Sequence, residues 1–202
     1  MYRAIFKSLL DRCCAALALL LLAPLLGVIA LTIRISLGRP ILFRQERPGL
    51  HGEPFCLVKF RTMTQKKDQE GKLLSDDDRL TFVGRFFRSS SLDELPELWN
   101  ILLGHMSFVG PRPLLMQYLP LYSKEQARRH EVKPGLTGWA QVNGRSNLSW
   151  EEKFRMDVWY VNHVGFSLDS RIVLKTFWKV LRREDISPDG ETTMEYFRGE
   201  NP

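Results

Sequence analysis

Asp93 and Glu94 are adjacent carboxylates set between Arg88 and Arg112, in the run Ser91-Leu-Asp-Glu-Leu-Pro-Glu-Leu-Trp-Asn100 ahead of Val109-Gly-Pro-Arg-Pro113. Guanidinium groups bind phosphate oxygens through paired hydrogen bonds. An acidic pair among them can attack phosphorus or hold a metal ion. Lys59 and Arg61 add two cations on a strand-like segment upstream. The chemistry these residue types suit is carboxylate work on a phosphate.

A second reading of the same residues is a helix N-terminus. Ser91 and Glu94 have the spacing of a capping box, but Pro96 would then fall where its missing N–H is needed. Asp93 as the N-cap instead puts Pro96 at the third helical position, where no bond is lost. The two readings are compatible, because the positive end of a helix keeps a carboxylate ionised and favours a bound phosphate. Other candidates are weaker. Asp76-Asp77-Asp78 reads as a solvated acidic turn, since consecutive side chains cannot all face one ion. His51, His105, His130 and His163 lack any ligand spacing. Cys13, Cys14 and Cys56 form neither a disulfide framework nor a metal motif, which fits a reducing compartment.

Upstream of the carboxylates lies an apolar run, Cys13 to Ile33, long enough at about 20 residues to cross roughly 30 Å of hydrocarbon. It lacks a small-residue cleavage site and so does not read as a signal peptide. A single span is one reading and a re-entrant anchor the other. Pro24 kinks the run at its middle, with Gly27 a turn later. Arg3, Lys7 and Arg12 precede it, and Arg34, Arg39, Arg44 and Arg47 follow. Positive flanks mark the cytoplasmic side, and a helix that enters and leaves by one face satisfies both.

The remainder reads as α/β and mostly helical. Strands over Ile41–Arg47 and Pro54–Met63 form a small hairpin through Pro48-Gly49 and His51-Gly52-Glu53. A polar loop follows over Gln65–Arg79. Helical character runs from Leu80 to Leu103 with a break at Pro96, and another helix lies within Leu114–Glu131. Gly135–Arg145 is a glycine-punctuated loop or short strand, and helices follow over Trp150–His163 and Asp169–Arg183. Phe82, Val83, Phe86 and Phe87 with Arg85 and Arg88 suit either an interfacial helix or a core-facing one. So does the Asp169–Arg183 segment, with Ile172, Val173, Phe177 and Val180 expected on one face. The domain boundaries expected are an anchor over 1–39, a catalytic domain over 40–184 and a polar tail over 185–202.

With 44% apolar and 26% charged residues in 202, the chain is a folding one, not a disordered one. The net charge of +6 is spread along the chain, which excludes a basic tail and leaves anionic lipid, nucleotide or nucleic acid as partners. No helix-turn-helix or RNA-recognition signature supports nucleic acid.

The chain resembles the bacterial sugar transferases known as monotopic phosphoglycosyl transferases. The likeness rests on the anchor with its mid-run proline, Val58-Lys59-Phe60-Arg61-Thr62-Met63, Gly84-Arg85-Phe86-Phe87-Arg88, the Ser91–Asn100 block, Ser107–Pro113 and Lys133-Pro-Gly-Leu-Thr-Gly-Trp139. It covers Arg3 to Arg183 in one order, in what looks like the minimal form of the family. One departure is Ala23, where some small members carry a serine before the anchor proline.

The resemblance implies transfer of a phospho-sugar from a UDP-sugar to undecaprenyl phosphate at the cytoplasmic face of the inner membrane. It implies Asp93 as nucleophile, forming a phosphoglycosyl-aspartate, Glu94 as its acidic partner, and Mg²⁺ bound near Asp93. Arg88 and Arg112 become the leading phosphate contacts, with Lys59, Arg61 and Arg145 behind them. An N-acetylated or deoxy-amino hexose is the expected sugar. The rival chemistry for the same residues is a membrane-tethered hydrolase or phosphatase with water as acceptor. No oligomeric state is assigned.

Overall fold

The computed structural model describes residues 2–144, 148–182 and 196–199. The apolar run forms one continuous helix, α1 (Lys7–Ser36), with Pro24 inside it. At 1.5 Å per residue it is about 45 Å long. Ala15, Ala18, Leu22, Leu26, Ile29 and Ile33 make a stripe down one face that packs on the rest of the chain. Their three-and-four spacing is that of a single helix side. The other faces leave Leu17, Leu20, Leu21, Leu25, Val28 and Leu31 exposed.

Both ends of α1 are tied to the same body. At its start, the Lys7 ammonium lies 2.6 Å and the Tyr2 hydroxyl 2.7 Å from the Asp169 carboxylate, and Lys133 Nζ donates to Ser8 Oγ at 3.0 Å. Beyond its end, the Arg61 guanidinium donates to the carbonyls of Leu37 and Arg39. A helix with a packed stripe along its length and both ends fastened has little freedom to swing away.

β1 (Leu42–Pro48) and β2 (Pro54–Phe60) form the expected hairpin, with Leu42 opposite Phe60 and Pro48 opposite Pro54. His51 and Gly52 take positive φ (58° and 81°) to reverse the chain. The acidic turn is a short helix, α2 (Asp76–Arg79), capped by Ser75. α3 (Phe82–Ser89) starts at Thr81, whose Oγ1 accepts from Gly84 N at 3.0 Å. α4 (Glu97–Leu103) follows Pro96 and ends at the left-handed Gly104.

The chain then forms β3 (Ser107–Val109), which pairs in parallel with β4 (Gly135–Thr137). The helix expected within Leu114–Glu131 is instead a series of short turns. Two 3₁₀ segments, Met116–Leu121 and Arg128–Glu131, flank one helical turn, α5 (Lys124–Ala127). Pro120 cannot donate to a continuing helix, and Ser123 with Gln126 starts a fresh capping box. Three helices complete the described chain: α6 (Trp139–Asn143), α7 (Trp150–His163) and α8 (Phe166–Arg182). The chain is mostly helical, with a small hairpin sheet and one long apolar N-terminal helix, and agrees to that extent with the fold class expected; the parallel β3–β4 pair is additional.

Two further expectations change. A polar tail is expected, yet its Phe197 is buried in an aromatic cluster with Tyr118, Trp150 and Phe154. The apolar face expected on α8 splits: Ile172 enters the core while Val173, Phe177 and Val180 are exposed. Similarly Val83 and Phe87 of α3 pack inward, and Phe82 and Phe86 face out.

Candidate functional site

Asp93 sits on neither of the helix starts that local pattern allows. Ser91 adopts left-handed φ (56°) and makes no capping bond; the chain then turns through a 3₁₀ segment, Leu92–Glu94, before α4 begins beyond Pro96. A left-handed serine costs about 1 kcal/mol, and here it redirects the chain leaving α3 so that Asp93 faces inward, 8% exposed. Among the described residues no hydrogen bond reaches the Asp93 carboxylate, unlike its neighbours.

Glu94 is paired with two cations. Its Oε1 accepts from Lys59 Nζ at 2.7 Å and from Arg112 Nη2 at 2.5 Å. Lys59 also lies 3.1 Å from Glu97 Oε1. The electrostatics follow from these contacts. Burial pushes the Asp93 carboxyl up to about 6, with the charge of Glu94 adding to it and Lys59, Arg88 and Arg112 opposing. Burial also works against an ionised Glu94, but Arg112 and Lys59 outweigh it and hold that carboxyl well below the ordinary range. Glu97 is raised, by burial first and the Glu94 charge second. Asp93 is thus the available carboxylate, and Glu94 the one that orders the cations.

Several elements place these groups. Asn100 on α4 accepts from Val58 N at 3.0 Å and donates to Cys56 O at 2.7 Å, clamping α4 to the outer edge of β2, where Lys59 stands. Arg88 on α3 donates from Nε to Thr62 Oγ1 at 3.0 Å. Gly84 lets α3 approach that strand end, since a Cβ there would lie 1.9 Å from the Thr62 carbonyl oxygen. The Val109–Pro113 loop is stitched to β4 by Gly110 N to Thr137 O (2.9 Å) and Gly135 N to Pro111 O (3.0 Å). Arg129, 2% exposed, holds the Arg112 carbonyl from Nη2 at 2.8 Å while its guanidinium pairs with Asp157 at 2.7 Å.

Leu92 and Glu94, on either side of Asp93, line a cavity of about 900 Å³, large enough for a nucleotide-sized ligand. Arg47, Arg88 and Arg112 give one region of it positive charge, and Tyr118, Trp150 and Phe154 give another an aromatic wall.

Of the residues expected from sequence, the fold brings together Asp93, Glu94, Lys59, Arg88 and Arg112. Arg61 is instead buried against the carbonyls that end α1, away from the cavity lining. Arg145 lies outside the described residues. Arg47, Arg129 and Asp157 went unrecognised: Arg47 read as an anchor flank, and nothing local marks the other two. No group of three or more acidic, histidine or cysteine side chains suited to a metal exists among the described residues. Mg²⁺ needs less than that, since one carboxylate with substrate phosphates and water completes its shell. Unbonded Asp93 fits that role.

The family model for bacterial sugar transferases matches residues 2–183. The chain is 52% identical over 96% of both lengths to an "Uncharacterized sugar transferase EpsL" of Bacillus subtilis. Two further relatives are named UDP-glucose:undecaprenyl-phosphate glucose-1-phosphate transferase. One, from Caulobacter vibrioides, is 42% identical over 89% of this chain and 71% of its own length. The other, from Xanthomonas campestris, is 41% identical over 89% of this chain and 40% of its own length. With its carboxylate turn and every cavity-lining residue but Tyr196 inside the matched region, the chain belongs to the bacterial sugar transferase family, as a phosphoglycosyl transferase.

Proposed function

We propose that the protein transfers a phospho-sugar from a UDP-sugar to undecaprenyl phosphate, giving undecaprenyl-diphosphate-sugar and UMP, through a covalent intermediate on Asp93. The observation that carries this is the contrast between the two carboxylates: Glu94 spends its charge on Lys59 and Arg112, while buried Asp93, beside a cationic cavity, has no hydrogen-bond partner among the described residues.

In this mechanism the donor's diphosphate lies against Arg88 and Arg112, which offset its charge as an anionic nucleophile approaches. Asp93 attacks the β-phosphorus; the bond to the bridging oxygen breaks and UMP leaves with the electron pair. An oxygen of the lipid phosphate then attacks the same phosphorus, and the Asp93 carboxylate is regenerated. Asp93 would hold Mg²⁺, which would supply further neutralisation of phosphate charge.

The membrane reading is monotopic: α1 as a re-entrant helix at the cytoplasmic face of the inner membrane, with phospholipid around its exposed leucines. Its support is that the packed stripe and the ties at Asp169 and Arg61 keep both ends of α1 on one protein body. Exposed Phe82 and Phe86 on α3 and Phe177 and Trp178 on α8 suit contact with the same interface. For the sugar we propose an N-acetylated or deoxy-amino hexose. Glucose and galactose, which stand in relatives' names, are the competing donors.

The deciding experiment is UMP release by detergent-purified protein with Mg²⁺ and each UDP-sugar, with and without undecaprenyl phosphate, alongside intact-mass measurement. Lipid-dependent turnover, and a phospho-sugar adduct without lipid that Asp93→Asn abolishes, are expected. UMP release indifferent to lipid would replace the transferase reading with the hydrolase one.

A further inference from the structure

Arg47 lines the same cavity as Arg88 and Arg112, yet no acidic side chain pairs with it among the described residues. Its Nη2 donates to Gln45 Oε1 at 2.6 Å, and its buried Nε has no hydrogen-bond partner among the described residues. Of the other cations here, Lys59 and Arg112 pair with Glu94 and Arg129 with Asp157, while Arg88 donates to Thr62. The adjacent residue Pro48 shares a small crevice with Arg112, which brings the two arginines to one side of the site. Burial and then the nearby Arg112 charge disfavour the charged form of Arg47 and outweigh the opposing charge of Glu97. Holding two like charges together with a donor unsatisfied is unfavourable unless an anion arrives between them.

We infer that Arg47 and Arg112 form a phosphate subsite on the side of the reacting phosphorus opposite Asp93, used in turn by the α-phosphate of the nucleotide donor and by the phosphate of the lipid acceptor. This rests on the two-step reading above. In-line displacement supplies the reason for sharing. Asp93 forms its bond to phosphorus as the bond to the UMP oxygen breaks on the far side. In the second step the acceptor oxygen must enter opposite Asp93, at the position UMP vacated, and the Asp93–phosphorus bond breaks. Cations that receive the leaving α-phosphate therefore face the incoming lipid phosphate.

The test compares wild type, Arg47→Gln and Arg47→Lys for binding of UMP and of uridine by calorimetry, and for the KM of undecaprenyl phosphate. Losing a charge-assisted bond is expected to weaken UMP roughly tenfold to hundredfold in Arg47→Gln. Uridine binding should be unchanged, the acceptor KM raised by a similar factor, and Arg47→Lys should keep most of both. Unchanged UMP affinity in Arg47→Gln overturns the subsite, and an unchanged acceptor KM overturns its sharing. Parallel loss of uridine would assign Arg47 a purely structural part and overturn it too. Wild type that binds neither UMP nor uridine would instead refute the nucleotide-donor reading itself.

Discussion

Arg129 Nη2 donates to the Arg112 carbonyl at 2.8 Å, so a buried guanidinium fixes the backbone of the exposed one that holds Glu94. Asp157 in turn fixes Arg129. Asp157→Asn strands a buried charge and is expected to cost about 3 kcal/mol of stability, read by chemical denaturation. Replacing both partners with Met and Leu should recover much of that stability but not turnover, because the Arg112 carbonyl still lacks its donor. Full activity in the double variant would show that the pair has no part in placing Arg112.

Asp93 must be ionised to attack, so turnover is expected to rise with pH through about 6, the value to which burial raises its carboxyl. The stability consequence has the opposite sign. The folded chain keeps this proton to higher pH than the unfolded chain, so Asp93 lowers stability progressively as pH rises from the ordinary aspartate range to about 6. Asp93→Asn should therefore be inactive yet more stable than wild type at pH 7.5, by up to about 3 kcal/mol. That gain should vanish near pH 4. An equally stable or weaker variant at pH 7.5 would contradict the burial argument.

Gly84→Ala places a methyl group against the Thr62 carbonyl, which neither backbone can avoid without moving. An overpacking cost of about 2 kcal/mol is expected. Because Arg88 rides on the same helix and bonds Thr62, turnover should fall more than in an exposed control such as Ser89→Ala.

Phe197→Ala removes a ring packed on Tyr118, Tyr122 and Phe154. A loss of about 3 kcal/mol is expected for a buried phenylalanine, measured by thermal denaturation. An unchanged melting temperature would mean the tail does not dock in solution.

For the anchor, single cysteines placed at Ser8 and at Leu37, in a background lacking Cys13, Cys14 and Cys56, should both label from the cytoplasmic side in membrane vesicles. Pro24→Leu restores the missing backbone donor and should shift the Ser8 position toward the other face when combined with Lys7→Ala, which cuts the tie to Asp169. Opposite labelling of the two positions in the otherwise unaltered protein would refute the re-entrant reading.

Much of this architecture is legible in the residues alone. The apolar run, the hairpin with its proline–glycine reversal, and helix α7 follow from composition, period and turn chemistry, all of which act within a few residues. The Asp93-Glu94 pair and its flanking arginines are likewise recognisable as a local block. Which cation serves which anion is decided elsewhere. Lys59 reaches Glu94 across 35 residues, and Arg129 reaches Asp157 across 28. Arg61, next to Lys59 in type and position, turns instead to the end of α1. Arg47 joins the site because β1 ends, at Pro48, against the Arg112 loop. Charge pairing and burial depend on distance in space, and only the packed tertiary structure sets those distances.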